Sequence, residues 1–355
     1  MEKLAGKGSP LLSAAAVVVI VYGMQAAKVL LVPFLLALFL ALISVRPLLW
    51  LQQRRVPSVL AALLIVTAIM LVIGVAGTIV GTSIAEFTAA LPTYQTRLAT
   101  IVAETGAWFY DFIGKGRENL PNLADLVDPG FAMRFAATIL NAVRDVLTNA
   151  FLILFTMVFI LLEASSIATK ARAAFGQGAG AFRQARQFLD NLGRYLGIKT
   201  VVSLATGFLA WLVTWLVGLD FPLLWGMLAF LFNYVPTIGS IIAAVPPVLL
   251  GLIQLGPAES MTTAIGFLVI NVVFGNLLEP RLMGHGVGIS PLIVFTGLVF
   301  WGWVFGPVGM LLSVPLTMTL KMALESRDDT RWMGILIGSE RDAQYELAQD
   351  AERND

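Results

Sequence analysis

Eight long apolar runs constrain the fold of this chain more than any other feature of its sequence. A helix needs about 20 largely apolar residues to cross roughly 30 Å of hydrocarbon, whereas a strand of a transmembrane barrel shows only a short, weak alternation. The runs therefore predict an all-α polytopic membrane protein with about eight membrane segments. They cover residues 11–27, 29–45, 58–81, 145–162, 200–217, 222–255, 261–276 and 291–320.

Composition agrees with this fold class and argues against several functions. The chain is 58% apolar and 13% charged, with a mean hydropathy of +0.85, which is far from the balance of a soluble domain. Cysteine is absent and the net charge is +1, so neither thiol chemistry nor nucleic-acid binding is indicated. No zinc-protease, nucleophile-elbow or Walker sequence occurs, and His285 is predicted to lie on a surface loop rather than in a metal site. We therefore expect no enzyme activity and no cofactor.

The amino terminus resembles a signal peptide, because Lys3 and Lys7 precede the apolar run 11–27. The run continues after Lys28 into a second apolar segment without an intervening polar domain. An uncleaved first membrane helix is therefore the expectation.

The distribution of charge predicts the topology. Residues 164–199 carry six basic residues against the single Asp190, and residues 46–57 carry three arginines and no acid. Positively charged loops stay cytoplasmic, so both termini are expected in the cytoplasm and 82–144 on the other side of the membrane. The predicted organisation is 1–81 as scaffold helices, 82–144 as an extracytoplasmic connection of short amphipathic helices broken at Pro92, 145–162 as a membrane helix, 163–199 as a basic cytoplasmic amphipathic connection, 200–320 as a transport region and 321–355 as a charged cytoplasmic tail.

Segments 222–255 and 291–320 form an internal repeat with an offset of 69 residues. Both begin with proline, both contain a Val-Pro pair, and both are interrupted near the middle by proline and glycine. Such repeats are common in transporters, and non-helical backbone at membrane depth is tolerated where it is buried or lines a cavity. Two topologies follow, either eight crossings or six crossings with two re-entrant hairpins opening from opposite faces. The second suits the positive-inside rule slightly better, because it places Arg281 and His285 inside.

Polar residues in the carboxyl-terminal half are the candidates for a substrate pathway, because polar groups at membrane depth usually face a bundle interior or a water-filled route. Asn233 either meets a ligand or caps the broken helix, and Glu279 with Arg281 forms either an interfacial ion pair or a proton-linked gate. The predicted pathway residues are Asn233, Pro236, Thr237, Gly239, Ser240, Asn271, Asn276, Glu279 and Arg281. The predicted hinges or helix breakers are Pro246, Gly306, Pro307, Gly309 and Pro315.

Several stretches of the chain resemble the AI-2E family of transporters. The most specific is NLLEPRLMG at 276–284, followed by GISPL at 288–292, FWGW at 300–303, FGPVG at 305–309 and VPL at 314–316. NYVPTIG at 233–239, PFLLA at 33–37 and VPSVLA at 56–61 are also similar. The resemblance covers about residues 10–325 and is strongest after Leu196.

The resemblance implies a bacterial inner-membrane protein with eight membrane segments that forms homo-oligomers, in particular pentamers. Members of the family are linked to export of autoinducer-2 or to sodium or proton exchange. Carboxylates deep in the segments are scarce, so export of a small uncharged polar solute by alternating access is favoured over Na⁺/H⁺ antiport. Whether this export is coupled to H⁺ or Na⁺ stays open. A non-transporting membrane scaffold is the alternative of another class. The expected partners are the solute or ion, the lipid bilayer and further copies of the chain, with no nucleic acid.

Overall fold

The computed structural model describes residues 10–113, 148–175, 180–283, 288–327 and 329–340, together with residues 344 and 347. All regular secondary structure in these residues is helical, which confirms the all-α prediction. The predicted loop residue His285 lies outside the described residues, as do the first nine residues and residues 114–147 of the predicted 82–144 connection.

Thirteen α-helices and one π-helical stretch make up the described chain. They are α1 (Pro10–Ala26), α2 (Lys28–Gln53), α3 (Ser58–Ile113), α4 (Ala150–Phe175), α5 (Gly180–Val217), α6 (Pro222–Phe232), α7 (Ile238–Gln254), α8 (Pro257–Ile270), the π segment (Asn271–Leu278), α9 (Glu279–Met283), α10 (Pro291–Phe305), α11 (Pro307–Leu311), α12 (Ser313–Glu325) and α13 (Arg331–Ile337).

Four stretches of the described helices are long and apolar enough to cross a bilayer. They are Lys28–Gln53, Ser58–Phe87, Arg186–Val217 and Pro257–Met283, and five shorter apolar helices accompany them. Large apolar side chains stay exposed along α1, α2 and α3, as expected of surfaces that face lipid rather than water. The chain is therefore a multi-pass membrane protein, and the number of crossings stays a prediction.

The third membrane helix differs from its sequence prediction. Pro92 was expected to break the 82–144 connection into short helices, yet α3 continues through it to Ile113. A proline inside a long helix removes one backbone hydrogen bond and causes a local clash, which the helical turns on either side can absorb. Pro92 is therefore an internal residue of α3 rather than its end.

The described chain divides into two compact units. The first contains α1, α2, α4 and α10 to α13, and the second contains α6, α7, α8 and the π segment, while α3, α5 and α9 contribute residues to both. Each unit includes one of the two segments that repeat in the sequence.

In the second unit, α6 and α7 fold back on each other to form the first hairpin (residues 222–254). The backbone N–H of Asp220 donates to the side-chain oxygen of Gln254 at 3.0 Å, so the two ends of the segment lie together. Leu228 and Leu250 share one buried apolar cluster, although a continuous helix would hold them about 33 Å apart. The chain therefore reverses between α6 and α7.

In the first unit, α10, α11 and α12 form the second hairpin (residues 291–325). Trp301 donates from Nε1 to Thr317 Oγ1 at 3.1 Å, whereas a straight helix would separate these residues by about 24 Å. A Cβ atom on Gly302 would lie 2.8 Å from Met310 Cγ, so the two arms are in close contact. Both repeated segments are thus helical hairpins.

The breaks of the two hairpins share a positive φ angle and a glycine close to a carbonyl of the preceding arm. Thr237 and Gly306, which are 69 positions apart, have φ angles of 61° and 70°. A Cβ atom on Gly239 would overlap the carbonyl oxygen of Phe232, and one on Gly309 would overlap that of Trp301. The sequence repeat is therefore matched by a repeated tight reversal that needs a glycine just after the break.

Two of the predicted breakers do not interrupt a helix. Pro246 lies inside α7, and Pro315 is the third residue of α12. A proline in the first turn of a helix loses no intrahelical hydrogen bond, which explains why α12 contains Pro315. The reversals lie instead at Pro236–Thr237 and at Gly306–Pro307.

Candidate functional site

The part of α5 in the second unit carries a buried polar face. Lys199, Ser203 and Thr206 are 5%, 0% and 9% exposed, and their spacing of four and three residues places them on one side of the helix. In a largely apolar membrane protein, buried polar side chains are energetically unfavourable unless other groups of the protein form hydrogen bonds or ion pairs with them. Their partners therefore define a candidate site.

The tip of the first hairpin supplies two of these partners. Asn233 donates from Nδ2 to Ser203 Oγ at 2.8 Å, and the Tyr234 hydroxyl donates to Thr200 Oγ1 at 2.8 Å. Asn233 directly follows the last residue of α6, so the end of the helix places its amide against α5. The hairpin tip is thus held to α5 by side-chain hydrogen bonds as well as by apolar packing.

A buried ion pair lies on the same face of α5. Lys199 Nζ is 2.6 and 2.8 Å from the two carboxylate oxygens of Glu279, and the side chains are only 6% and 16% exposed. Removing either charge would leave the other buried and unpaired, which is strongly unfavourable. We call the set Lys199, Thr200, Ser203, Asn233, Tyr234 and Glu279 the tip site.

The backbone beside the tip site is strained. Thr237 has φ 61° and ψ −56°, and the N–H of Ile238 donates to the carbonyl of Pro236 at 2.6 Å. These values define a γ-turn with positive φ, which is rare, and it is least expected at a β-branched residue. Strain of this kind is found most often at functional sites.

The helix that carries Glu279 is irregular immediately before it. Residues 271–278 form a π-helical stretch, a geometry frequent at functional sites. A Cβ atom on Gly275 would lie 2.9 Å from Asn271 Oδ1, so the Asn271 side chain covers this glycine. Asn276, in the same stretch, is exposed.

The other end of the first hairpin is closed by a second polar cluster. Tyr94 donates to Asp220 Oδ2 at 2.6 Å, Trp225 Nε1 donates to the Asp220 carbonyl at 2.8 Å, and Arg97 Nη1 donates to the Gln254 carbonyl at 3.0 Å. Burial, followed by the hydrogen bond to Asp220, raises the pKa of the Tyr94 hydroxyl above its ordinary value. The cluster fixes the base of the hairpin and keeps Tyr94 protonated.

The structure brings two of the predicted pathway residues together and leaves others apart. Asn233 and Glu279 meet α5 at Ser203 and Lys199, one helical turn from each other. Glu279 forms its ion pair with Lys199, whereas Arg281, its predicted neighbour, is exposed. Pro236, Thr237, Gly239 and Ser240 lie at the hairpin break, where Ser240 Oγ donates to the Thr237 carbonyl at 3.3 Å.

Sequence reasoning missed Lys199, Thr200, Ser203 and Thr206. Lys199 was assigned to the basic cytoplasmic connection 163–199, because it stands at the edge of an apolar run. The spacing of polar residues at 199, 203 and 206 indicates one helix face and was the available signal. Within the described ranges, no cluster of three or more histidine or acidic side chains suggests a metal site.

Comparison with known proteins identifies the relatives of this chain. The sequence model of the AI-2E family transporter matches residues 14–327. The AI-2 transport protein TqsA of Escherichia coli is 37% identical over 321 residues, which cover 90% of this chain and 92% of TqsA. Two relatives provisionally named as transport proteins are similar over most of their length. One, from Haemophilus influenzae, is 36% identical over 94% of this chain and 97% of its own, and the other, YhhT of Escherichia coli, is 34% identical over 93% and 94%.

Proposed function

Because the chain belongs to the AI-2E family of transporters, we propose that its solute pathway follows the buried polar face of α5 past the tip site. Its relatives are named for transport and not for catalysis, so membrane transport of a small molecule is the premise. The proposal concerns where the solute binds, what kind of solute it is and how it crosses.

The observation that carries the proposal is the convergence of hydrogen-bonding and charged side chains on one turn of α5. Ser203 is paired with Asn233 from the hairpin tip, and Lys199 is paired with Glu279 from the end of the π segment. All of these side chains are at least partly buried. A purely structural membrane bundle has no need of a buried ion pair, since apolar side chains would pack there at lower cost.

The contacts of the first hairpin support the re-entrant topology. If 222–255 were a single crossing, Asp220 and Gln254 would lie on opposite faces of the bilayer, and so would Lys199 and Glu279. Both pairs are in hydrogen-bonding contact instead. In addition, α6 and α7, with 11 and 17 residues, are only about 16 and 25 Å long, which is short for a crossing. We infer that the first hairpin enters from the extracytoplasmic face and points its tip towards the cytoplasmic end of α5.

The chemistry of the tip site suits a small neutral solute with several hydroxyl groups. TqsA is named for AI-2, and an autoinducer-2-like solute is our candidate for this chain. The hydroxyl and amide groups of Thr200, Ser203 and Asn233 can exchange hydrogen bonds with solute hydroxyls, whereas the Lys199–Glu279 pair is already neutralised. Export by alternating access then requires the tip of the first hairpin to leave α5 when solute takes its place.

Flux into proteoliposomes tests this function. We expect purified protein to move autoinducer-2 down its gradient, and Asn233→Ala to reduce that flux at least about tenfold because one recognition group is lost. Thr262→Ala is the matched control, since its exposed hydroxyl bonds only to its own helix at Ala258. Equal flux through the wild type and Asn233→Ala would exclude the tip site as the pathway.

A second candidate function is cation/proton antiport, which the position of Glu279 favours. Its carboxylate is 16% exposed and in contact with a lysine, so a proton or cation could exchange there if the pair separated. Proteoliposomes loaded with a pH-sensitive dye separate the two functions. Proton movement that a sodium gradient drives in the absence of organic solute supports antiport. Autoinducer-2 flux that does not change with a sodium or a proton gradient supports an uncoupled exporter.

We also propose that the protein resides in a bacterial inner membrane with both termini in the cytoplasm and assembles into homo-oligomers, with the pentamer as the candidate. Cysteines introduced at Glu259 and Arg281 of this cysteine-free chain report the topology through labelling from each side. Labelling of position 259 from outside and of position 281 from inside agrees with the hairpin topology, and native mass spectrometry reports the number of subunits.

A further inference from the structure

Among the described residues, the buried hydroxyl of Thr206 has no hydrogen-bond partner. The residue is 9% exposed, and the atom concerned is Oγ1. Threonines inside helices normally bond to the carbonyl four residues earlier. Thr214 and Thr263 do so here, to Ala210 and Glu259, at 2.8 Å each. A buried hydroxyl without a hydrogen-bond partner raises the free energy of the folded protein, so a new partner for Thr206 would be stabilising.

Thr206 lies next to other hydroxyl groups on α5. Ser203 lies three residues from both Thr200 and Thr206 along α5, so its side chain neighbours that of each on the helix surface. Thr200 accepts from Tyr234 and Ser203 accepts from Asn233. We call Thr200, Ser203 and Thr206 the hydroxyl ladder. Thr206 is the member of this set that receives no hydrogen bond from the hairpin tip.

The surroundings of Thr206 restrict what can reach it. One turn further along the same face is Ala210, which packs with Ala229 of α6 and Ala243 of α7. The same cluster also contains Phe267 and Ile270, so its side chains are apolar and carry no charge, and the charged pair of the tip site is already complete. An ion would find no counter-charge in this apolar cluster, whereas a neutral hydroxyl could both donate to Thr206 and accept from it.

We propose that Thr206 is a recognition residue for a hydroxyl group of a small neutral polyol carried by this transporter. The proposal rests on the proposed function and adds a specificity group that lies beyond the tip site. When solute binds beside Thr200 and Ser203, Thr206 gains the hydrogen bond that it lacks among the described residues. Because this bond forms only with solute present, it contributes wholly to recognition and not to the stability of the empty protein.

A matched control is available in the other unit. Ser313 Oγ is likewise buried and without a partner in the described chain, but Ser313 begins α12 and is flanked by the buried apolar residues Leu312 and Val314. Removing its hydroxyl relieves the same kind of unfavourable burial away from the tip site, beside the hydroxyl of Thr317, which already bonds to the Ser313 carbonyl. Ser313→Ala therefore separates relief of an unmet hydrogen bond from loss of solute recognition.

The test compares thermal stability with the KM of flux in proteoliposomes, using autoinducer-2, ribose and 2-deoxyribose as probes. We expect Thr206→Val to raise the Tm by on the order of 2 °C, because the unmet hydroxyl is gone. The same variant should raise the KM for the fully hydroxylated solutes about fivefold to tenfold. Thr206→Ser should keep the wild-type KM, and Ser313→Ala should raise the Tm without changing the KM.

The outcomes distinguish this inference from the function on which it rests. If the wild type carries none of the three probes, the solute class of the proposed function is wrong and the inference falls with it. If the wild type carries them and Thr206→Val raises the Tm while leaving every KM unchanged, the function stands and Thr206 is only a poorly satisfied core residue. A KM that rises equally for Thr206→Val and Thr206→Ser would indicate a change of shape and would also overturn the assignment.

Discussion

The first and second hairpins use one backbone design with opposite side-chain chemistry. Both reverse at a residue with positive φ, and both place a glycine against a carbonyl of the preceding arm. The tip of the first hairpin carries Asn233 and Tyr234, which bond to hydroxyls of α5. At the reversal of the second, Trp301 and Phe305 stack with ring centroids 5.9 Å apart, and this cluster packs on apolar side chains of α1 and α2.

The difference indicates a division of labour between the repeats. The aromatic reversal of the second hairpin is stabilised mainly by burial, and the polar groups beside it, Trp301 Nε1 and Thr317 Oγ1, bond to each other within the hairpin. A polar tip held by hydrogen bonds can exchange them with a solute with little net change in free energy, because solute groups replace protein groups. We therefore infer that the second hairpin anchors its unit and that the first hairpin forms the pathway. This inference gives the predicted hinge residues Gly306, Pro307 and Gly309 a structural role.

The largest effect is expected where the two hairpins are alike. Gly239→Ala and Gly309→Ala each force a Cβ atom into a carbonyl oxygen, so each should lower the free energy of unfolding by more than about 3 kcal/mol and reduce the yield of folded protein. Gly193→Ala is the control, because a Cβ atom there meets nothing within 4 Å. Thermal denaturation in detergent measures all three, and a wild-type Tm for either hairpin variant would refute the shared reversal.

The next effect compares an ion pair in the unit of the first hairpin with one in the unit of the second hairpin. Glu279→Leu leaves Lys199 buried without a counter-charge and should cost about 3–5 kcal/mol. The double variant Lys199→Met/Glu279→Leu should recover most of the stability while flux stays lost. In the second hairpin, Lys321 and Glu325 are 3.2 Å apart and more exposed, so Glu325→Gln should cost less than about 1 kcal/mol and leave flux unchanged. Normal flux in the double variant would show that the buried pair serves stability alone.

Much of this fold could be predicted from the sequence, because apolar length, loop charge and paired proline-glycine breaks are local signals. The expectation that a proline ends a helix was wrong at Pro92 and Pro246, which lie inside helices. Proline weakens a helix locally, but whether the helix ends there depends on tertiary contacts that a sequence does not show.

Only part of the tip site could be predicted from the sequence. Asn233 and Glu279 were recognisable as polar residues at membrane depth, but their partners Ser203 and Lys199 lie on another helix. Which helices are neighbours is a property of the fold and not of local sequence. The strained Thr237 was equally inaccessible, since a β-branched residue is the last one expected at positive φ when Gly239 is two positions away.

A smaller effect should separate function from stability between the tips. Asn233→Ser shortens the amide that bonds to Ser203 and should reduce solute flux about tenfold with a change in stability below about 1 kcal/mol. Trp301→Phe removes the indole N–H that bonds to Thr317 and should cost about 1 kcal/mol of stability with normal flux. Flux in proteoliposomes and urea or thermal unfolding give the two numbers for each variant. If Trp301→Phe impaired flux as severely as Asn233→Ser, the division of labour between the hairpins would be wrong.

The smallest effect concerns the strain at the two breaks. Thr237→Gly removes the conformational strain of a β-branched residue at φ 61° but gives the unfolded chain more freedom, so stability should rise by no more than about 1 kcal/mol. Gly306 has φ 70° and ψ −150°, a conformation that only glycine adopts readily, so Gly306→Ala introduces strain and should cost at least about 1 kcal/mol. If the strain at Thr237 holds the tip ready to separate from α5, its relief should slow solute flux although the protein becomes more stable, whereas Gly306→Ala should leave flux unchanged. Parallel Tm and flux measurements on the two variants decide the matter, and a faster flux in Thr237→Gly would mean that the strained turn restrains the tip rather than preparing its release.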